Sequence, residues 1–267
     1  MATTFEPPAK PFDLHGRRAL VTGAAQGIGR QTAVRLAQAG AEVWCVDINE
    51  AGAASTAAHL ESMGGKSTPI GLDVTDSERV REVIGDLPPL HVLCNVAGIL
   101  RHASAETLTE ADLDRVLAVN LKSALFCAQA ALAGMRAEGR GSIINLASGA
   151  IDSVAPNLSA YAMSKAAVAQ LTKNMAIEWA PHGIRVNAVA PGFVDTSMTT
   201  HSYRDAEGNI DEAKRASYLA LMREIAPLGI TGEADDIAIT IWFLAADASR
   251  FMTGQILRPN GGMAMPW

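Results

Sequence analysis

Arg18-Ala19-Leu20-Val21-Thr22-Gly23-Ala24-Ala25-Gln26-Gly27-Ile28-Gly29 is the stretch that decides the fold. Its first five residues make a short, mostly apolar run, the pattern of a strand buried on both faces. Glycines follow, and residues 30–39 then read as a helix closed by Gly40. Strand, glycine turn and helix in direct succession form a phosphate-binding geometry. The glycines let the backbone turn tightly and approach closely, and the helix N-terminus offers N–H donors and partial positive charge to a pyrophosphate. A purely structural turn is the competing reading, and the residues downstream weigh between the two.

The next apolar run, Glu42-Val43-Trp44-Cys45-Val46, ends in Asp47, 18 positions after Gly29. Dinucleotide-binding units place an acid near that distance, on the adenosine ribose 2′-hydroxyl. A carboxylate there repels a 2′-phosphate, and Gln26 stands in the turn where an arginine could bind one. The expected cofactor is therefore NAD, preferred over NADP. A solvated strand-end aspartate that caps the next helix is the plainer alternative.

The alternation continues along the chain. Helical stretches at about 50–63, 76–85, 109–137, 159–180 and 233–246 separate strands at 66–72, 90–94, 142–146 and 184–189, with a last short strand at 255–257. Residues 196–226 read as polar and irregular. This order predicts an α/β protein: a doubly wound Rossmann fold, with a parallel seven-stranded sheet, helices on both faces and right-handed crossovers. Residues 17–267 show no break in composition and are expected to form a single domain, while residues 1–16, with three prolines, read as an extended N-terminal arm.

In such sheets ligands lie beyond the carboxyl ends of the strands, where strand order reverses. Each polar or glycine cluster here follows a strand: Gly23 to Gly29, Asp47, Asp73, Asn95 to Gly98, Ser148, and Pro191-Gly192. Helical spacing also stacks Tyr161 and Lys165, four positions apart, on one face. A nearby ammonium favours a phenolate, which makes Tyr161 a candidate proton donor and acceptor at neutral pH. Ser148 is positioned to hydrogen-bond the oxygen that exchanges the proton. The intervening residues Ala150 to Asn157 are expected to line a substrate pocket, with Asp152 and Asn157 as its polar contacts.

Composition narrows the function. The chain has 267 residues, 49% of them hydrophobic, and a net charge of −6, which argues against nucleic acid as a partner. Three widely spaced cysteines in apolar surroundings suit reduced, buried thiols. The strongly apolar run 237–246 is too short to span a bilayer, so no membrane association is expected and the predicted location is cytoplasmic. Six histidines show no metal-ligand spacing, and no metal is expected.

From about residue 12 to 263 the chain resembles the short-chain dehydrogenase/reductase family. The resemblance rests on Thr22-Gly23-x-x-x-Gly27-Ile28-Gly29, on Asn95-x-Ala97-Gly98, and on Asn120, Ser148, Tyr161 and Lys165 at tetrad spacing. Pro191-Gly192-Phe193-Val194-x-Thr196 and the ending Thr253-Gly254-Gln255 to Asn260-Gly261-Gly262 complete it. Val96 departs from the family's usual asparagine. The resemblance implies hydride transfer between a nicotinamide and a secondary alcohol or ketone. Tyr161 would be the acid/base. Lys165 would lower its pKa and hold the nicotinamide ribose, Ser148 would orient the substrate oxygen, and Asn120, at a disturbance in its long helix, would hold a water that links Lys165 to solvent. Gly23, Gln26, Gly27, Ile28 and Gly29 would bind the pyrophosphate side, Asp73 and Val74 would meet the adenine, and Val194 and Thr196 the carboxamide. It also implies a substrate lid at about 196–226 and a homotetramer.

The expected function is an NAD-dependent dehydrogenase of a secondary alcohol, of sugar, polyol, cyclic or hydroxy-acid type. The ending and the Ala226-Pro227-Leu228-Gly229 run also resemble the 3-oxoacyl-carrier-protein reductase branch, whose thioester substrates are the alternative. A protein that binds the dinucleotide without turnover is a remote third reading. The apolar tail from Met263 to Trp267 is either a subunit contact near an active site or a frayed terminus.

Overall fold

The computed structural model describes residues 9–204 and 208–266. Half of the expected N-terminal arm, part of the 196–226 segment and Trp267 lie outside the described residues. Seven strands, β1 (Arg18–Thr22), β2 (Glu42–Asp47), β3 (Lys66–Gly71), β4 (Val92–Asn95), β5 (Gly141–Leu146), β6 (Ile184–Val189) and β7 (Ile256–Leu257), form one sheet in the order β3-β2-β1-β4-β5-β6-β7. All six pairings are parallel. The chain runs outward from β1 to β3 and resumes at β4 on the other side of β1, so strand order reverses between β1 and β4.

The sheet's apolar runs divide by the two-residue strand period. Ala19, Val21, Val43, Cys45, Val92, Cys94 and Ile144 point to one face, where α1 (Gly27–Gln38), α2 (Glu50–Ser62) and α8 (Ala234–Ala245) cover them. Leu20, Trp44, Val46, Leu93 and Ile143 point to the other, under α3 (Ser77–Gly85), α5 (Ser123–Glu138) and α6 (Ser159–Trp179). Pro69, which cannot donate to a ladder, sits on the edge strand β3. Cys45, Cys94 and Cys127 are free and buried in these two cores. Burial pushes the Cys45 and Cys127 thiols up to about 12.

Two elements differ from the sequence reading. The helix expected over 109–137 is divided: α4 (Glu110–Leu117) passes through a π turn at Ala118–Lys122 before α5 begins. A tertiary contact accounts for the turn, because the buried Asn120 amide pairs with both main-chain groups of Ile99. The whole run Glu110–Glu138 is long and apolar enough to cross a membrane, with mean hydropathy 1.6 in its best window. Its face bearing Cys127, Ala128, Ala131 and Met135 packs on the sheet instead. Residues 196–226 are not irregular throughout: α7 (Glu212–Ile225) starts at Asp211, whose carboxylate accepts from the N–H groups of Ala213 and Lys214. None of its residues is buried, which is why no apolar period announced it.

Candidate active site

The glycine turn between β1 and α1 shapes a cavity of about 500 Å³ at the carboxyl edge of the sheet. A Cβ on Gly29 would lie 2.0 Å from the Gly23 carbonyl oxygen, and one on Gly23 would lie 2.9 Å from Ala97 Cα, so both positions exclude any side chain. Thr22 locks the β4 loop against this turn, its hydroxyl oxygen accepting from Val96 N–H at 3.0 Å and Ala97 N–H at 3.1 Å. Gln26 at the head of α1 gives no side-chain cap, and no acid stands in the first turn. The helix therefore presents its dipole and main-chain donors to the cavity.

The cavity wall contains Gly23, Gln26, Gly27, Ile28, Gly29, Asp47, Asp73, Val74, Ala97, Gly98 and Thr196. Asp47 is fixed at the end of β2: Oδ2 accepts from Ala25 N–H at 3.0 Å and Oδ1 from Asn49 N–H at 2.9 Å. Burial raises the Asp73 pKa, but hydrogen bonds from the Thr75 N–H and hydroxyl outweigh it and leave the carboxyl below its ordinary value. A glycine cradle that any Cβ would fill, an uncapped helix N-terminus and an acid at the far end together fit a dinucleotide.

Asn95 does not reach this wall. It is buried in the sheet, where its Nδ2 donates to Asn145 Oδ1 at 2.9 Å and to the Ala124 carbonyl at 3.2 Å. This polar side chain joins β4 to β5 and α5. Pro191, Gly192 and Val194 also lie off the cavity wall. Pro191 instead accepts the Gly149 N–H at 2.8 Å, which seats the turn after Ser148 on the end of β6. Arg115, Ile48, Ile99 and Met198 do line the cavity and were not singled out by sequence. Ile48 follows Asp47 directly, and that position was the one available signal.

Lys165, on α6, is 2% exposed. A Cβ at Gly98 would stand 3.5 Å from its Nζ and 3.3 Å from Asn120 Oδ1, so the ammonium sits directly behind the cavity wall. Burial lowers its pKa to about 8. Its Nζ donates to the Leu146 carbonyl at 2.6 Å and lies 5.8 Å from the centroid of the Tyr161 ring. Burial raises the Tyr161 pKa, and the Ser148 hydroxyl beside it acts in the opposite direction. The ammonium directs its hydrogen bond to the Leu146 carbonyl. Ser148 Oγ also accepts from the Ala150 N–H at 3.2 Å.

Asn120 touches the same cluster. Its Oδ1 accepts from Ile99 N–H at 2.8 Å, and its Nδ2 donates to the Ile99 carbonyl and to Ser164 Oγ, both at 3.0 Å. The Ser164 hydroxyl in turn donates to the Tyr161 carbonyl at 2.7 Å. The structure thus brings Asn120, Ser148, Tyr161 and Lys165 together from the π turn, the turn after β5, and α6.

On the substrate side the structure alters one expectation. Asp152 does not offer a free carboxylate: Arg258 donates to it through Nε at 2.6 Å and Nη2 at 3.1 Å. Asn157 is exposed, with a left-handed φ of 64°, and its carbonyl accepts from Ala103 N–H. The segment after β6 is clamped to α7 through Asp195, which accepts from Tyr203 Oη and from Arg215 Nη2, the latter at 2.7 Å.

The family model described as enoyl-(acyl carrier protein) reductase matches residues 23–264. Gluconate 5-dehydrogenase of Gluconobacter oxydans is 35% identical over 95% of this chain and 97% of its own length. A 3-oxoacyl-[acyl-carrier-protein] reductase of Thermotoga maritima is 38% identical over 94% and 99%. The crystal structure of a gluconate 5-dehydrogenase from Burkholderia cenocepacia, in complex with NADP and tartrate, superposes with a TM-score of 0.87 at 34% identity, covering 95% of this chain and 97% of that one. With the glycine cradle, the tetrad geometry and these full-length similarities in place, the chain belongs to the short-chain dehydrogenase/reductase family and is a nicotinamide-dependent oxidoreductase acting on CH–OH groups.

Proposed function

We propose that this enzyme oxidises a secondary alcohol of a polyhydroxylated or hydroxy-acid substrate with NAD. The observation that carries the reading is the Lys165 ammonium, directly behind the Gly98 wall of a cavity that Asp47 also lines and 5.8 Å from the Tyr161 ring, with Ser148 against the phenol. Bound there, the nicotinamide supplies the hydride acceptor. Ser148 would orient the substrate hydroxyl, and Tyr161 would take its proton while the carbinol carbon gives up its hydrogen as hydride. Lys165 carries the positive charge that favours the phenolate, and on leaving Leu146 it can reach ribose hydroxyls across Gly98. The Asn120 side chain is fully engaged by Ile99 and Ser164, so in this reading a proton-relay water is held through the main chain of the π turn. Thr196 borders the carboxamide, and α7 closes over the substrate.

Asp47 supports NAD: a fixed carboxylate at the end of β2 opposes a 2′-phosphate by charge. The Burkholderia neighbour holds NADP, so this preference is specific to the chain's own residues. The sugar-acid assignment draws on the gluconate 5-dehydrogenase relatives. Thioester reduction is the second reading, favoured by the Thermotoga relative. A screen of NAD and NADP reduction over sugar acids, polyols, other alcohols and 3-hydroxyacyl thioesters separates them. Faster turnover of the thioesters, or a preference for NADP, would overturn the first reading. We place the enzyme in the cytoplasm as a homotetramer, with the outward residues Met163 and Ile177 of α6 at a subunit contact. Residues 17–267 act as its one catalytic domain.

A further inference from the structure

At the sheet edge opposite the cofactor, the N-terminal ends of β4, β5 and β6 enclose a second cavity of about 470 Å³. Its wall carries Arg17, Arg140, Arg185 and Arg250, with Asp247 as the one carboxylate among the described lining residues. Arg17 pairs with Asp247 at 3.0 Å, and Arg185 donates to Ser249 Oγ and to the Met252, Leu244 and Ala246 carbonyls, so the lining is net positive while its donor in need of an acceptor is Arg140.

His91 shows what this charge is for. Its side chain is 2% exposed, and its Nδ1 accepts the Arg18 main-chain N–H at 2.9 Å. A neutral imidazole that accepts at Nδ1 carries its proton on Nε2, so Nε2 is a donor. The atom 2.9 Å from Nε2 is Arg140 Nη2, and a guanidinium has no acceptor to offer. Two donors meet here with nothing between them to receive their hydrogens. Glu138 Oε2 stands 3.8 Å from Nε2 and 3.9 Å from Arg140 Nη2, outside hydrogen-bond range, while Oε1 is held by Arg18 at 3.1 Å. Protonating His91 leaves the same donor at Nε2. Burial and the fields of Arg140, Arg18 and Arg17 in any case hold its pKa down to about 4.

We propose that this cavity binds a phosphate group, as inorganic phosphate or as a phosphate monoester, whose oxygens accept from both His91 Nε2–H and Arg140. A phosphate carries about two charges and several acceptor oxygens, which matches converging donors and a charge excess better than a carboxylate does. The volume exceeds what phosphate alone fills and lies in the range of small-molecule sites. The site is at the far edge from Tyr161, so its ligand takes no part in hydride transfer, and the inference stands apart from the proposed substrate.

The test titrates the full-length protein with inorganic phosphate, and in a parallel arm with glycerol 3-phosphate, at ionic strength held constant with sodium chloride. Calorimetry is expected to show saturable binding, and a hundredfold excess over Kd to raise Tm by on the order of 5 °C. Arg140→Gln places an amide oxygen near His91 Nε2–H at a half-exposed position and is expected to weaken binding at least tenfold. Retained NAD binding shows that this variant is folded. Tighter binding of the ester identifies the monoester as ligand; equal binding identifies free phosphate. Absence of saturable binding, a Tm shift reproduced by chloride alone, or undiminished binding by Arg140→Gln overturns the proposal.

Discussion

The Lys165 ammonium lies 5.8 Å from the centroid of the Tyr161 ring but directs its hydrogen bond to the Leu146 carbonyl. The charge is therefore buried beside the phenol and hydrogen-bonded to the main chain. Its folded pKa, about 8, is below the ordinary lysine value, so between about pH 8 and 10.5 the unfolded chain binds more protons than the folded one. Stability contributed by this group rises with pH through that window, and below it the cost of the buried charge is fully present. Lys165→Met is expected to stabilise the ligand-free protein at pH 7 by roughly 1–3 kcal/mol while abolishing most turnover. Denaturant melts at pH 7 and 10 check this; a destabilised variant at pH 7 would show that the charge is better solvated than its burial indicates.

Tyr161 is expected to be replaceable in structure but not in chemistry. Its phenol is held above its ordinary pKa by burial, with Ser148 opposing, so the ligand-free enzyme keeps it protonated at neutral pH. Alcohol oxidation, which needs the base, rises with pH, and carbonyl reduction, which needs the acid, falls as the phenol ionises. Tyr161→Phe should lose at least 10²-fold in kcat with NAD affinity retained. Near wild-type kcat in this variant would reassign the proton transfer.

Asp47 sets the cofactor prediction. Asp47→Ala is expected to weaken NAD and improve NADP binding, narrowing the ratio of the two Kd values by tenfold or more, which corresponds to about 1.4 kcal/mol. A wild-type protein that already binds NADP more tightly than NAD would contradict the role given to this carboxylate. The Asn49 N–H, which Asp47 Oδ1 accepts at 2.9 Å, loses its partner, so thermal melts accompany the binding data.

Outward apolar side chains predict assembly. Met163 and Ile177 on α6 are 48% and 79% exposed, and Phe251 is 96% exposed. Burying such residues is worth about 25 cal/mol per Å², so the protein is expected to be tetrameric at micromolar concentration by light scattering. Ile177→Glu should shift it to smaller species, and a monomeric wild type would remove the basis for that assembly.

The strands and glycine turn were legible because period and glycine spacing are local. Leu20 and Val21 fall to opposite cores by strand alternation alone, and Gly29 is required by the Gly23 carbonyl six positions away. What was hidden depends on partners distant in sequence. The π turn exists because Asn120 pairs with Ile99, 21 positions back. The Asn95-x-Ala97-Gly98 spacing marks a resemblance, but it does not tell that the Asn95 side chain turns inward to Asn145, 50 positions away. Spacing put Lys165 beside Tyr161 but could not say that Nζ would turn to Leu146.

Asp152 and Arg258 are 106 positions apart and form a pair that no local pattern announces. The carboxylate side chain is 8% exposed and the arginine 29%, so water screens the pair only partly. Arg258 Nη1 also donates to the Ile256 carbonyl at 2.8 Å, which anchors the guanidinium to β7. Asp152 closes the turn that begins at Ser148, its N–H donating to the Gly149 carbonyl at 3.0 Å. Removing one partner strands a buried charge: Arg258→Met is expected to cost about 3 kcal/mol. Asp152→Leu with Arg258→Met together should cost less than the two changes summed, since neither leaves the other unpaired. If the pair also positions Ser148, Arg258→Met lowers kcat for oxidation while NAD affinity holds, and the double variant recovers stability without recovering kcat. Additive stabilities in the cycle would show instead that each residue acts alone, and unchanged kcat would confine the pair to a purely structural role.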